Sequence, residues 1–351
     1  MGKKITTSDI SLKLGLSRNT VSKALNDHPG ITAETRKKVI DQAVAMGYKR
    51  AAKTAGGGGR SSALPDKASS IAYITKYQLH GTGFWMNVMS GAQQAISHGG
   101  YEMKVSFVKN EEIAALELPG LLSSDIAGFI VAGSFDKSYT EKLLAIPLPK
   151  VFINITPDMP LTGLPADVVF MENEDSIHQI TRHLLEQGHE RLGFIGEVYS
   201  CRSFMERWHG FQRAHLEVMV PIDPSLSIVS RCPDTYSSYD GIIHALKELP
   251  ALPTAFVCAN DRIALHVIKY LHDLGKSVPR DIAVSGFDQI SEAEFLGFTL
   301  TTVAHDVLQL GQRATEQLLY RMSQPDRANE TIRLAGRVVY GESTAALALR
   351  E

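Results

Sequence analysis

Apolar residues recur at helical spacing in three short segments at the beginning of the chain. A period of three to four residues places these side chains on one face of each helix, where they can pack together. The pattern therefore predicts three helices within residues 1–50. Their inward-facing residues are expected to be Ile10 and Leu14, then Val21, Ala24 and Leu25, then Val39, Ile40, Ala43 and Met46.

Polar residues mark the ends of these predicted helices. Thr6 and Asp9 form a capping box before the first helix, and Gly15 is expected to end it. Ser17 is a natural N-cap for the second helix, and the third is expected to begin at Thr32. The result is two helices joined by a tight glycine turn, followed by a third.

The outward face of the second predicted helix carries hydrogen-bonding side chains and no carboxylate. Its members are Arg18, Asn19, Ser22, Lys23 and Asn26. In a helix-turn-helix unit the second helix enters the major groove of DNA, where arginine pairs with guanine and asparagine with adenine. An ordinary three-helix packing unit with a charged surface is the alternative.

Beyond residue 70 the pattern changes to apolar strands that alternate with amphipathic helices. Such alternation predicts parallel sheets covered on both faces, and two successive series predict two lobes. Ligands of open α/β sheets bind beyond the carboxyl ends of the strands, so a cleft between the lobes is the expected site. Strands are predicted at 71–74, 102–107, 128–131, 150–154, 191–195, 227–230, 255–258 and 282–285, and helices at 84–98 and 176–187.

Charge separates the two parts of this 351-residue chain. Residues 1–60 hold twelve lysines and arginines against four acids, whereas the remainder holds 24 against 34. A basic module joined to an acidic body is typical of a protein whose small domain binds a polyanion.

Several other classes of protein are disfavoured. The chain has no apolar run of membrane-spanning length and begins without an apolar signal region, so we expect a cytoplasmic protein that does not enter membranes. Three cysteines without metal-type spacing suit a reducing compartment. Neither a nucleophile-elbow motif nor a phosphate-binding loop occurs, and we expect no enzymatic activity, no metal and no cofactor.

The first 48 residues resemble the head of LacI/GalR-type bacterial transcription regulators. The resemblance is carried by Thr6, Asp9-Ile10, Gly15, Ser17, Thr20-Val21-Ser22-Lys23, Leu25-Asn26, Thr35-Arg36, Val39 and Gly47-Tyr48. It implies that Arg18, Asn19 and Lys23 read bases, and that the remaining positions contact phosphates or orient the helix. The implied DNA-binding set is Thr6, Ser17, Arg18, Asn19, Thr20, Ser22, Lys23 and Asn26.

The body is similar to the effector-binding core of the same family, which is itself like periplasmic sugar-binding proteins. Matching segments include Glu172-Asn173, Phe194-Ile195-Gly196, Asn260-Asp261, Gly286-Phe287-Asp288 and Leu300-Thr301-Thr302-Val303. The implied effector site comprises Phe84, Trp85, Asn154, Ser203, Arg207, Tyr236, Asn260 and Asp288. Structural alternatives stay open for some of these residues: Asp288 and Asn260 as helix caps, and the aromatic pair as core.

The fold class that follows is α/β: an N-terminal three-helix, helix-turn-helix head plus a two-lobed parallel, periplasmic-binding-protein-like core. The head is expected at 1–50, a glycine-rich linker at 51–69 and the core at 70–344. One lobe is expected to take about 70–171 with 303–323, and the other about 172–302 with 330–344.

The linker departs from the family pattern. Lys49-Arg50-Ala51 follow Tyr48 where Pro-Asn is usual, and Gly57 stands where the resemblance places a leucine that wedges into the minor groove. Because each glycine within a helix costs about 1 kcal/mol relative to alanine, Gly56–Gly59 oppose the hinge helix that the family uses. We therefore expect weaker coupling between effector and DNA than a helical hinge would give.

The prediction is a sequence-specific, DNA-binding transcription regulator, with repression as the expected mode. It is expected to be a homodimer on a palindromic double-stranded operator, controlled by a small polar effector such as a sugar. A nucleobase or nucleoside is the alternative effector, and a pure sugar-binding protein is an alternative function. A Rossmann-type enzyme is a third reading, but no Gly-x-Gly-x-x-Gly follows the first strand.

Overall fold

The computed structural model describes residues 6–25, 31–46, 70–79, 83–123, 125–230, 235–236 and 238–345. The chain divides into two units, Met1–Lys67 and Ala68–Glu351. We call the described part of the first unit the head and that of the second the body. The boundary between the units lies within the expected linker, whose residues are outside the described ranges together with Asn26.

The head contains the three helices that its sequence predicts, α1 (Thr7–Leu14), α2 (Arg18–Leu25) and α3 (Ala33–Ala45). Thr6 and Asp9 form the capping box of α1, and Gly15 ends that helix in the left-handed region, with φ of 66°. The core of this unit consists of Ile10, Val21, Ala24, Val39 and Ala43.

The first lobe of the body is built on a six-stranded parallel sheet. Both faces of this sheet are buried: Ile71 and Tyr73 face one apolar cluster, whereas Ala72 and Ile74 face another. The strand order is β10-β5-β4-β3-β1-β2, with β1 (Ser70–Lys76), β2 (Glu102–Val108), β3 (Ile126–Ala132), β4 (Lys150–Ile153), β5 (Asp167–Met171) and β10 (Thr331–Leu334). Its helices are α4 (Gly83–His98), α5 (Asn110–Ala114), α6 (Lys137–Leu144) and α11 (Val307–Ser323).

The second lobe is built on a three-stranded parallel sheet in the order β6-β7-β8. Its strands are β6 (Leu192–Ile195), β7 (Ala255–Cys258) and β8 (Ala283–Ser285). Its helices are α7 (Glu174–Glu186), α8 (Arg202–Glu217), α9 (Tyr239–Lys247) and α10 (Asp261–Asp273). Short 3₁₀ segments lie at Tyr77–Leu79, Gly120–Ser123, Pro224–Leu226, Ser291–Leu296 and Glu342–Thr344.

The end of the chain corrects the expected division into lobes. Residues 330–344 were expected in the second lobe, but β10 pairs with β5, with Thr331 opposite Val168, and so belongs to the first sheet. The chain then returns: β11 (Arg337–Val339) pairs antiparallel with β9 (Thr302–Ala304), and Ser343 donates its backbone N–H to Thr299. The chain therefore passes from one lobe to the other three times: after β5, after β9 and again before β11.

A buried ion pair secures the segment before β10. Arg321, on α11, donates through Nε and Nη2 to both oxygens of Asp167, at 2.9 and 2.8 Å. Its Nη2 also donates to the carbonyl of Ala328 at 2.8 Å. A bidentate arginine–carboxylate pair fixes orientation as well as distance. This pair therefore sets the course of the chain into β10.

The segment predicted as a strand at 227–230 does not pair continuously with a neighbouring strand. Ile228 makes an isolated parallel bridge to Ile195, through hydrogen bonds with Phe194 and Gly196. The strands β5, β9, β10 and β11 were not predicted. Within the described ranges no helix combines the length and apolar character that crossing a membrane requires.

Candidate functional site

A cavity of about 570 Å³ lies within the body, where the carboxyl ends of strands from both lobes face each other. Sites for small molecules typically measure ~300–1,000 Å³. The cavity is therefore large enough for a mono- or disaccharide-sized molecule, at the position expected for open α/β sheets. Of the predicted effector residues, those that line it are Phe84, Trp85, Asn154, Ser203, Arg207, Asn260 and Asp288.

Tyr236 lies elsewhere. Its hydroxyl is 3.2 Å from the carbonyl oxygens of both Ile228 and Ser230, and its side chain is buried in the second lobe. The hydroxyl thereby satisfies the backbone of the segment beside β6. Among the described residues, Tyr236 is thus part of the packing of that lobe and not of the cavity wall.

Arg207 is the most constrained of the cavity-lining residues. It projects from α8 and is only 3% exposed. Its Nε donates to Asn173 Oδ1 at 3.0 Å, and its Nη1 donates to the carbonyl of Ala259 at 2.6 Å. The guanidinium carbon lies 3.5 Å from the centroid of the Phe287 ring. Because arginine stays charged even when buried, these contacts present a fixed cation to the cavity.

A chain of polar contacts connects Arg207 to the first lobe. Asn173, fully buried after β5, donates through Nδ2 to Glu206 Oε2 at 3.0 Å. Glu206 in turn accepts two hydrogen bonds of 2.7 Å from Arg333, on β10. Arg333 belongs to the first sheet and Glu206 to the second lobe, so this ion pair joins the lobes directly behind Arg207.

Asp288 faces Arg207 across the cavity floor. It follows β8 with a positive φ of 108°, and Asp288 Oδ1 lies 3.6 Å from Arg207 Nη2. This oxygen is buried and makes no hydrogen bond within the described residues. The 3₁₀ segment that follows has Ile290 at its N-cap without a side-chain cap, so Asp288 is not a helix cap. Its carboxyl group is therefore available to a ligand.

The two asparagines have local structural roles and also line the cavity. Asn260 Oδ1 accepts from Ile263 N at 2.9 Å and caps α10, as the structural alternative held. Asn154 directly follows β4 and adopts the left-handed region, with φ of 68°, and its Oδ1 accepts from Ile155 N at 2.9 Å. Both side chains are held in place through their oxygens, which leaves the amide NH₂ groups as donors.

Phe84 and Trp85 open helix α4. Their rings meet edge to face, with centroids 5.1 Å apart and planes at 81°. Both are half-buried and pack on the larger apolar cluster, yet both line the cavity. Aromatic faces cover apolar ring surfaces well, so this pair combines the core and wall roles that its sequence left open.

The head presents the residues predicted to read DNA. Arg18, Asn19 and Lys23 are exposed on α2, whereas Thr20 and Ser22 are half-buried. Ser17 Oγ accepts from Thr20 N at 3.0 Å and so caps α2. Thr6 is likewise held by Asp9, through an N–H donor at 2.7 Å. Asn26 lies outside the described residues, and DNA contact by this set stays a prediction.

Comparisons with known proteins agree with this architecture. Residues 181–344 match the family model described as a periplasmic binding protein-like domain. The chain is 25% identical over 348 residues to the HTH-type transcriptional repressor PurR of Mannheimia succiniciproducens, which covers 98% of this chain and 99% of that protein. It is 23% identical over 346 residues to the ribose operon repressor of Haemophilus influenzae, covering 97% and 99%.

Solved structures show the same fold. The lac repressor dimer bound to operator and the anti-inducer ONPF matches with a TM-score of 0.67 and 23% identity, over 98% of this chain and 100% of that one. A complex of the transcriptional regulator CelR with cellobiose matches with a TM-score of 0.67 and 22% identity, over 97% and 99%. The resemblance to the LacI/GalR-type transcription regulators is confirmed.

The fold class predicted from the sequence is confirmed with it. The relatives reported above are named as repressors. Within the described ranges no group of three or more His, Cys, Asp or Glu side chains is arranged to hold a metal ion.

Sequence reasoning missed several residues that line the cavity of the body. Lys76 is the last residue of β1 and Ser134 lies two residues beyond β3, and a polar residue at or just beyond the end of an apolar strand is a usable signal for both. No comparable signal marks Cys201 or Phe204, which face the cavity only because of how α8 begins.

Asp288 makes the stability of the body depend on pH. Burial raises the pKa of Asp288 to about 7; the nearby Arg207 lowers it, and Asp261 raises it. In the unfolded chain an aspartate has a pKa near ~3.9. Protonation of Asp288 therefore stabilises the folded body fully below that pH, and this contribution to the free energy of unfolding is lost as pH rises to about 7. Relative to wild type, Asp288→Asn should therefore gain stability from pH 5 to pH 8 in urea unfolding.

Asp273→Asn is the matched control for this pH effect. Asp273 is exposed, and hydrogen bonds from Tyr239 and Lys269 lower its pKa. The difference in unfolding free energy between Asp273→Asn and wild type should therefore be the same at pH 5 and pH 8. A flat difference for Asp288→Asn as well would mean that Asp288 is ionised throughout this range.

Proposed function

We propose that this protein is a transcription repressor whose operator affinity is controlled by a small polar effector, a sugar or sugar derivative, bound in the body cavity. The observation that carries the proposal is the set of Arg207, Asp288, Asn154 and Asn260 around one cavity of suitable size, in a chain that also has a helix-turn-helix head. A charged donor, a charged acceptor and amide donors suit vicinal hydroxyl groups, which both donate and accept.

The aromatic wall supports a sugar in the same way. Phe84 and Trp85 lie beside the polar groups, so a ring with one apolar face and several hydroxyls would satisfy both. The same wall would also stack a nucleobase, which keeps a nucleobase or nucleoside as the second candidate. Thermal unfolding in the presence of each class separates them, since a ligand of the native state raises the unfolding midpoint.

We also propose that the protein acts as a homodimer on a palindromic operator, in the cytoplasm. One head offers few base contacts, and two linked heads gain affinity through effective concentration. The structure of the related lac repressor is a dimer bound to operator, which supports this arrangement.

The DNA-binding part of the proposal predicts distinct effects for individual head residues. Arg18→Ala and Asn19→Ala should each weaken binding to the best operator by about 1–3 kcal/mol and relax the base preference at one position. The reason is their exposed place at the start of α2. Selection of duplexes from a random pool, followed by titration of the preferred sequence, measures both effects.

Lys38→Ala is a control for the loss of positive charge. Lys38 is exposed on α3 and pairs with Glu34 at 2.9 Å. Its replacement should leave the preferred sequence unchanged. If Arg18→Ala and Asn19→Ala also kept both affinity and preference, base reading by α2 would be disproved.

A further inference from the structure

The polar residues on the first-lobe side of the cavity differ in chemistry from Arg207 and Asp288 on the second-lobe side. Lys76 ends β1, Ser134 follows β3 and Asn154 follows β4, and all three line the cavity. These strands are neighbours in the sheet, in the order β4-β3-β1. Their carboxyl ends therefore bring an ammonium, a hydroxyl and an amide to one edge of the cavity.

Lys76 has no ion-pair partner within the described residues. Its half-buried ammonium lies 5.4 Å from the centroid of the Phe135 ring, and no carboxylate oxygen of a described residue comes within 4.0 Å of it. Burial lowers the pKa of Lys76, while Asp136, Cys201 and Glu197 raise it only through space. Asp136 is occupied as the N-cap of α6, accepting from Tyr139 N at 2.9 Å.

The neighbours of Lys76 add further donors. Ser134 Oγ is buried and makes no hydrogen bond within the described part of the chain. The oxygen of the Asn154 side chain is occupied by Ile155 N, so the amide nitrogen is the group left to bind. Arg207 on the other side differs, because it already has Asp288, Asn173 and a carbonyl as partners.

We propose that the effector carries an anionic oxygen group, a carboxylate or a phosphate, which binds at Lys76, Ser134 and Asn154, while its neutral hydroxyls face Arg207 and Asp288. This inference rests on the proposed function, since it names the charge class of the ligand in the same cavity. A neutral ligand would bury the ammonium further without a partner, whereas an anion forms charge-assisted hydrogen bonds with it.

The test compares anionic compounds with their neutral parents on the full chain. The probes are glucuronate, glucose 6-phosphate and glucose, with the corresponding galactose series, each titrated calorimetrically. One anionic member should bind about 10- to 100-fold more tightly than its neutral parent, the range expected for a hydrogen bond to a charged group. The uronate and phosphate arms show which anionic group the site accepts.

Variants at Lys76 test whether this residue causes the preference for the anionic ligand. Lys76→Met should remove the preference for the anion, and Lys76→Arg should keep it. Lys137→Met is the control, because Lys137 is an exposed cation on α6 that pairs with Glu141 and does not line the cavity, and its replacement should leave the preference unchanged. Equal binding of the neutral parent, no binding by any anionic probe, or a preference that survives Lys76→Met would each overturn the proposal.

Stability without ligand gives an independent check. If the ammonium is unpaired in the protein, Lys76→Met should leave the unfolding midpoint unchanged or raise it. A lower midpoint would show that Lys76 is paired internally, and the proposal would be wrong. Binding of the head to duplex DNA is measured separately, so a failure of the repressor function would leave the outcome for Lys76 readable.

Discussion

Replacing Arg207 with methionine is expected to destabilise the body by about 3–5 kcal/mol, the cost of removing one partner from a buried ion pair. The change leaves the carbonyl of Ala259 and Asn173 Oδ1 without their donor, and it leaves Asp288 without its counter-charge. Asp288 can escape part of this penalty by taking up a proton, so the loss should be smaller at pH 6 than at pH 8. Urea unfolding at the two pH values measures both effects.

Arg213→Met is the matched control, on the same helix. Arg213 is about one-third exposed and pairs with Glu174 and Asp175 at the surface, where ion pairs contribute about 0–1 kcal/mol. Its replacement should therefore have little effect. If Arg207→Met were as mild as Arg213→Met, the contacts of Arg207 would not be a fixed part of the body.

The Arg207→Met substitution should also abolish the response of operator affinity to effector. Arg207 faces the cavity and is anchored through Asn173 and Glu206 to Arg333 in the first lobe. A ligand that binds Arg207 therefore contacts the hydrogen-bonded network that joins the two lobes. We expect ligand-dependent changes in operator affinity, typically 1–3 kcal/mol for coupled sites, to vanish.

Gly311→Val is expected to destabilise the body by about 3 kcal/mol or more, at the upper end for inserting atoms into a packed interior. A Cβ at Gly311 would lie 1.9 Å from the carbonyl oxygen of Val88, and a Cβ at Gly91 would lie equally close to the carbonyl oxygen of Leu308. Helices α4 and α11 therefore touch backbone to backbone at this pair of glycines. A side chain there forces the helices apart, and no rotation of the side chain relieves the clash.

Thermal unfolding tests this prediction, with Gly83→Ala as the control. Gly83 begins α4 and has open space around the position of a Cβ, so the alanine should change stability by no more than about 1 kcal/mol, in the favourable direction. A Gly311→Val protein with wild-type stability would mean that α4 and α11 are further apart than described.

Local signals in the sequence determined most of the elements and several of the site positions. The head could be predicted because Thr6, Gly15 and Ser17 act on backbone groups within a few residues of themselves. The placement of Asn154 and Asp288 followed from a general rule, since Asn154 directly follows one apolar strand and Asp288 lies three residues beyond the end of another. Seven of the eight predicted effector residues lie at the cavity, and three of them, Asn154, Asn260 and Asp288, follow strands in this way.

Contacts between distant segments could not be obtained in this way. That β10 joins the first sheet depends on its pairing with β5, more than 150 residues earlier, and nothing in Thr331–Leu334 itself selects that neighbour. Likewise, the sequence shows that Arg207 is present but not that Asn173 and Glu206 link it to Arg333.

The sequence by itself therefore determined the three helices of the head, the alternation of strands and helices in the body, and the division into a basic head and an α/β body. Only the tertiary structure decided which charges are paired. Arg207 has partners on every side, whereas Lys76 ends its strand with none in ion-pair distance among the described residues. The physical reason is that capping and periodicity act over one or two turns, whereas charge pairing depends on which remote segments the packed sheets bring together.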